Sequence, residues 1–118
     1  MPCDEMRGKI AAVNAELSTI LSELRGGLER LYGERLVRVM LFGSRARGDA
    51  EADADIDVLV VLRGSVRPYE EIGRVSALKA GLSLRYDCVV SCVFLDADAF
   101  AHRGGPLLRN VRREGIEV

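Results

Sequence analysis

The sequence predicts an α/β (or α+β) domain, a small, partly parallel, mixed β-sheet flanked by helices. Three observations predict it. Apolar residues recur at helical spacing from Asp4 to Tyr32. Two short runs rich in β-branched residues follow, Leu36 to Phe42 and Asp55 to Leu62, parted by a polar connector. A helix-patterned segment then leads into a third, valine-rich run, and strands alternating with helices in this way build a layered domain.

In the first segment the apolar stripe is Ile10, Val13, Leu17, Ile20, Leu21, Leu24, Leu28 and Leu31, with Asp4 as N-cap. Gly26-Gly27 leaves open whether this is one helix or two. Leu36 to Phe42 is the first strand and ends at Gly43. Gly43 to Ala54 is a polar connector, and Asp55 to Leu62 is a largely buried strand closed by Arg63-Gly64-Ser65. Pro68 opens a helix with Glu70 and Glu71 in its first turn, Ile72, Val75, Leu78 and Leu82 on its apolar side, and Gly81 near its end. Arg85 to Leu95 reads as the third strand. Asp96 to Gly105 carries no pattern that assigns it. Pro106 starts a short helix that runs through Glu114 and stops at Gly115.

A length of 118 residues fits one domain, residues 1–118, and 48% hydrophobic composition builds its core without disulfide or metal staples. The 17 basic and 18 acidic side chains leave a net charge of -1, which argues against direct nucleic-acid binding. Any anion site is therefore local. Cys3, Cys88 and Cys92 lack zinc or secreted-scaffold spacing and read as reduced thiols. The N-terminus lacks the order of a signal peptide and no apolar run spans a bilayer, so a cytoplasmic protein without membrane contact is expected. His102, the only histidine, falls in a polar stretch and reads as surface. Arg112-Arg113 reads as a solvated face, and packing is expected for Tyr32, Tyr69 and Tyr86.

The chemistry concentrates on the first two strands. Gly43-Ser44 closes one, with Arg45 and Arg47 behind it, and Asp55-Ile56-Asp57 opens the next after ten intervening residues. Residues two apart on a strand share a face, so both aspartates project together from an apolar segment. Adjacent carboxylates need a positive partner, and hard oxygen donors suit Mg²⁺. The alternative is a water-facing strand edge with no metal. Asp87 interrupts the third strand early. If the strands are neighbours, three carboxylates meet at one sheet end, the ligand set of a two-metal site, and Asp87 could also take a proton from an attacking hydroxyl. The alternative for Asp87 is a salt bridge to Arg85 or another arginine. Gly43 lets a phosphate approach the backbone, Ser44 can donate to it, and Arg45 and Arg47 can add charge-assisted bonds. Alone, this Gly-Ser is an ordinary strand-to-turn junction.

Leu41-Phe42-Gly43-Ser44-Arg45-Ala46-Arg47-Gly48 through Asp55-Ile56-Asp57-Val58-Leu59-Val60-Val61 resembles the signature of the DNA polymerase β-like nucleotidyltransferases. The Gly-Ser-Arg-Ala-Arg-Gly form is similar to the minimal nucleotidyltransferases, of the MntA-like antitoxin type. Tyr86-Asp87 resembles the family's third-carboxylate strand, and Pro106 to Gly115 its C-terminal helix. The resemblance implies a polymerase β-like fold, with Asp55, Asp57 and Asp87 at two Mg²⁺ ions. It also implies that Gly43 and Ser44 hold the β- and γ-phosphates of ATP or another NTP, Arg47 being the stronger arginine candidate. Ala54 departs from the pattern, since relatives often carry Ser or Thr there.

The expected reaction is attack of an acceptor hydroxyl on the NTP α-phosphorus with release of pyrophosphate, the protein supplying position and charge neutralisation. A chain this short holds no separate acceptor domain, so the acceptor side falls to a surface, a homodimer partner or another protein. The resemblance points to a HEPN-domain toxin, with the chain as antitoxin adenylylating a tyrosine on it. Two alternatives stand beside this: nucleotidylation of a small molecule such as an aminoglycoside, and a non-catalytic module that neutralises its partner by contact.

Overall fold

The computed structural model describes residues 15–47 and 55–118. Helix α1 (Ala15–Tyr32) passes through a 3₁₀ turn (Gly33–Arg35) into β1 (Leu36–Phe42). A single-turn helix α2 (Ser44–Arg47) follows. Next come β2 (Ile56–Leu62), α3 (Pro68–Tyr86), β3 (Val90–Asp96), α4 (Ala97–His102), α5 (Pro106–Glu114) and β4 (Ile116–Glu117). The strands lie in the order β3-β2-β1-β4. β1 runs antiparallel to β2 and β4, while β2 and β3 are parallel and joined through α3. The expected small mixed sheet flanked by helices is the fold observed.

Alternation along the strands divides the core in two. Val39, Leu41, Ile56, Val58, Val60, Leu62, Val90 and Phe94 belong to the cluster that α1 closes with Leu17, Ile20, Leu21, Leu24 and Leu28. Val75 and Leu82 of α3 complete that layer. Met40, Leu59 and Val61 form the second cluster with Leu108 and Val111 of α5, against which Phe100 of α4 packs. Each fully buried aliphatic side chain contributes about 1.5–3 kcal/mol.

Gly26-Gly27 does not interrupt α1, and Gly27 is a packing position. A Cβ there would lie 2.4 Å from Leu78 Cδ1, so the missing side chain lets α1 and α3 approach. Leu31 and Ile72, both expected on core faces, are 45% and 49% exposed. Asp4, Ile10, Val13, Cys3, Gly48 and Ala54 lie outside the described residues.

The third strand begins later than its composition predicts. Arg85 and Tyr86 complete α3, and Asp87 is its C-cap, in the left-handed conformation at φ 51 with its N–H donating to Ser83 O. The helix continues because its last turn is fastened to α1. Arg85 Nη2 bonds Glu23 Oε2 at 2.7 Å and Tyr86 Oη donates to Glu23 Oε1 at 2.6 Å. The unassigned stretch after Asp96 is the short helix α4, capped by the Asp96 carboxylate, which accepts from Ala99 N at 2.7 Å. Beyond Gly115 the chain adds β4, pairing Ile116 with Leu41. A two-residue strand leaves no periodicity to read.

One buried charge organises the far end of the helical layer. Glu71, 1% exposed, accepts from Tyr32 Oη at 3.1 Å, Arg74 Nη1 at 2.9 Å and the Arg67 backbone N–H at 3.3 Å. Burial and the adjacent Glu71 carboxylate push the Tyr32 phenol up to about 12. Cys88 and Cys92 are free thiols packed against the core, and burial raises both. Among the described residues no helix is long and apolar enough to cross a membrane.

Candidate functional site

β1 ends at Phe42, which pairs with Asp57 of β2. The following residue, Gly43, takes φ +77, a conformation that L side chains rarely adopt. A Cβ at Gly43 would stand 2.6 Å from Asp57 Oδ2. The turn and the carboxylate thus share one end of the sheet, as the spacing of Gly-Ser to Asp-x-Asp predicts. Gly43 O accepts from the N–H groups of Ala46 at 3.1 Å and Arg47 at 3.2 Å, which winds Ser44–Arg47 into α2.

Asp57 is half-buried and Asp55 exposed, immediately before β2. Asp57 has the parity of Leu59 and Val61 and so lies on the face that α4 and α5 cover, at its uncovered end. Its carboxyl titrates above the ordinary range, first because burial disfavours its charge, then because Asp55 repels it. A cation would relieve both effects. Two carboxylates of hard oxygen, one opened to approach by the absent side chain of Gly43, fit a divalent cation that takes its remaining ligands from phosphate and water.

The arginines diverge. Arg45 lies where its charge acts to lower the Cys88 thiol, beside the start of β3. Arg47 donates to Glu114 Oε2 at 3.2 Å, at the end of α5. Glu114 is a contact that sequence reasoning missed, because nothing in the spacing ties the last turn of α5 to α2.

Asp87 does not stand in β3. It is exposed, and its left-handed backbone lies between the end of α3 and the extended chain that begins at Cys88. The alternative reading of Asp87, a salt bridge to Arg85, is not seen among the described residues, where Arg85 pairs with Glu23. Among the described residues no group of three His, Cys, Asp or Glu side chains is gathered to hold a metal. The β3 residue paired with Asp57 is Ser91. Grooves of about 310 and 440 Å³ open along α1, and neither is lined by Gly43, Asp55 or Asp57.

The family model of the nucleotidyltransferase domain matches residues 21–101, which contain the turn, both aspartates and all of β3. The chain belongs to the nucleotidyltransferase domain family. It is 32% identical over 76 residues, covering 64% of this chain and 76% of the relative, to "Putative protein adenylyltransferase MJ0141" of Methanocaldococcus jannaschii. MJ0604 of the same organism, with the same description, is 32% identical over 96 residues, covering 80% of this chain and 90% of the relative. A crystal structure of a toxin–antitoxin with AMP-PNP shares the fold at a TM-score of 0.58 and 20% identity, over 81% of this chain and 69% of that one. The protein is thus a nucleotidyltransferase, similar to protein adenylyltransferases in sequence and to a toxin–antitoxin protein in fold.

Proposed function

We propose that this nucleotidyltransferase transfers AMP from ATP to a tyrosine hydroxyl of a HEPN-domain toxin, acting in the cytoplasm as its antitoxin. Asp55 and Asp57 hold Mg²⁺, which when bound neutralises phosphate charge and aligns the triphosphate. Gly43 admits the β- and γ-phosphates to the backbone of the turn, Ser44 donates its hydroxyl, and Arg45 and Arg47 add positive charge. The acceptor hydroxyl attacks the α-phosphorus in line and gives up its proton to solvent, while the bond between the α-phosphorus and the bridging oxygen breaks and pyrophosphate leaves on the side of the turn.

The observation that carries this reading is the contact between Gly43 and the Asp57 carboxylate. It sets the phosphate-admitting turn directly against the cation-holding group, as transfer from a triphosphate requires. The curated relatives described as protein adenylyltransferases support a protein acceptor. The fold shared with a toxin–antitoxin protein crystallised with AMP-PNP supports ATP and a toxin as partners.

The test is mass spectrometry of a HEPN-domain toxin after incubation with the chain, ATP and Mg²⁺. A gain of one or more AMP units on a tyrosine is expected. Unmodified partner, at a chain concentration that still neutralises it, would replace transfer with neutralisation by contact.

A further inference from the structure

Which residue of the third strand fronts the aspartate pair is decided by the register of β2 and β3. These strands are parallel, with Ile56 opposite Val90 and Asp57 opposite Ser91. The Ile56 N–H donates to Val89 O at 2.8 Å, so the pairing continues one residue beyond β3, placing Val89 beside Asp55 and Ile56. Alternation assigns the faces. Cys88, Val90, Cys92 and Phe94 pack toward α1 and α3, while Val93 and Leu95 pack toward α4 and α5. Val89 and Ser91 therefore share the face of Asp55 and Asp57. Val89 is 55% exposed although it adjoins Val90, which is 6% exposed. An exposed valine next to a buried one, level with two carboxylates, is a wall residue of the site.

Asp87, the acid that composition places in this strand, has no such position. Two residues before Val89, it has left the extended chain and adopts φ 51 at the end of α3.

We propose that Val89, and not Asp87, is the residue of the third strand that fronts the Asp55–Asp57 pair, so that β3 contributes an apolar wall and a serine hydroxyl to the site instead of a carboxylate. This rests on the reading of Asp55 and Asp57 as cation ligands. With no carboxylate from β3, the cation is held weakly by the protein alone and takes more of its ligands from the nucleotide's phosphates. The acceptor side of the site is correspondingly less acidic, with Val89 offering an apolar contact to the group that carries the attacking hydroxyl.

The test is binding of Mn²⁺ alone to the full chain, followed by water-proton relaxation, in Asp57→Asn, Asp87→Asn and Val89→Asp. Asn tolerates the left-handed backbone at residue 87, so that variant keeps the fold. Asp87→Asn is expected to leave Mn²⁺ affinity within about twofold, and Val89→Asp to tighten it about tenfold by adding a ligand charge. A loss of about tenfold in Asp87→Asn, or no tightening in a Val89→Asp protein that melts cooperatively, would overturn the inference. Mn²⁺ affinity unchanged by Asp57→Asn would instead remove the cation site itself, and the reading of the aspartate pair with it.

Discussion

The α-carbon of Gly43 and the carboxylate of Asp57 are so close that one added methyl group would bring carbon within 2.6 Å of Oδ2. This contact is the tightest demand the site places on the sequence. It also explains why a glycine must follow Phe42, since the φ of +77 and the proximity of Asp57 exclude a side chain independently.

Gly43→Ala should therefore damage function more than stability. The backbone strain costs about 1–3 kcal/mol, and displacing the Asp57 carboxylate should lower nucleotidyl transfer about 100-fold or more. Thermal melts beside transfer from α-labelled ATP check this. Near-normal transfer in the variant would show that the turn and the carboxylate do not act together.

Asp57 gives a pH signature with a definite sign. Its folded-state pKa is raised by burial and by Asp55, so the fold binds its proton more tightly than the unfolded chain does. Its stabilising contribution is complete below the unfolded carboxylate value and is lost as pH rises through the folded one. Without divalent cation, Asp57→Asn should raise Tm by a few degrees near about pH 7 and leave it unchanged near about pH 3. Transfer should fall by about 1000-fold in the same variant. Differential scanning calorimetry across that range, with and without Mg²⁺, measures both the sign and its reversal by cation in the wild type.

Much of this was legible in the sequence, and the misses share a cause. The Leu17–Leu28 stripe, β1, β2 and the Pro68 and Pro106 helix starts follow local pattern and capping chemistry, and they stand as expected. Gly43, Ser44, Asp55 and Asp57 fall at one sheet end because strand ends are set by the same signals. What local pattern could not show was where α3 stops. Arg85 and Tyr86 are helical because Glu23, distant in sequence, binds both, and that tertiary contact moves Asp87 out of the strand. β4 was hidden for a similar reason, since Ile116 and Glu117 become a strand through pairing with β1.

Tyr32 and Glu71 supply a stability test remote from the chemistry. Tyr32→Phe removes the 3.1 Å bond to the Glu71 carboxylate but leaves that carboxylate its bonds from Arg74 and the Arg67 backbone. A cost of about 1–2 kcal/mol is expected, with transfer activity unchanged. The tyrosine also sets an alkaline limit. Because burial and Glu71 raise its pKa to about 12, its contribution is complete below the unfolded phenol value and is lost as pH climbs through the folded one. The wild type should lose stability across that interval, while Tyr32→Phe should lack that component of the loss. Denaturant midpoints at mildly and strongly alkaline pH separate the two.

Gly27 offers the sharpest check on the helical layer, because helix propensity and packing predict opposite signs. Gly→Ala inside a helix should stabilise by about 0.5–1 kcal/mol if the backbone alone mattered. Here the added Cβ meets Leu78 Cδ1 at 2.4 Å and Cδ2 at 2.7 Å, so α1 and α3 must part or Leu78 must turn away. Gly27→Ala is expected to forfeit the propensity gain and destabilise by about 1 kcal/mol at most, because the partly exposed Leu78 side chain can turn away, and Leu78→Ala alone to cost less than a fully buried leucine. The double variant should recover part of the combined loss, giving a favourable coupling of about 1 kcal/mol in a double-mutant cycle. Strictly additive losses would mean that the two helices do not meet at this pair.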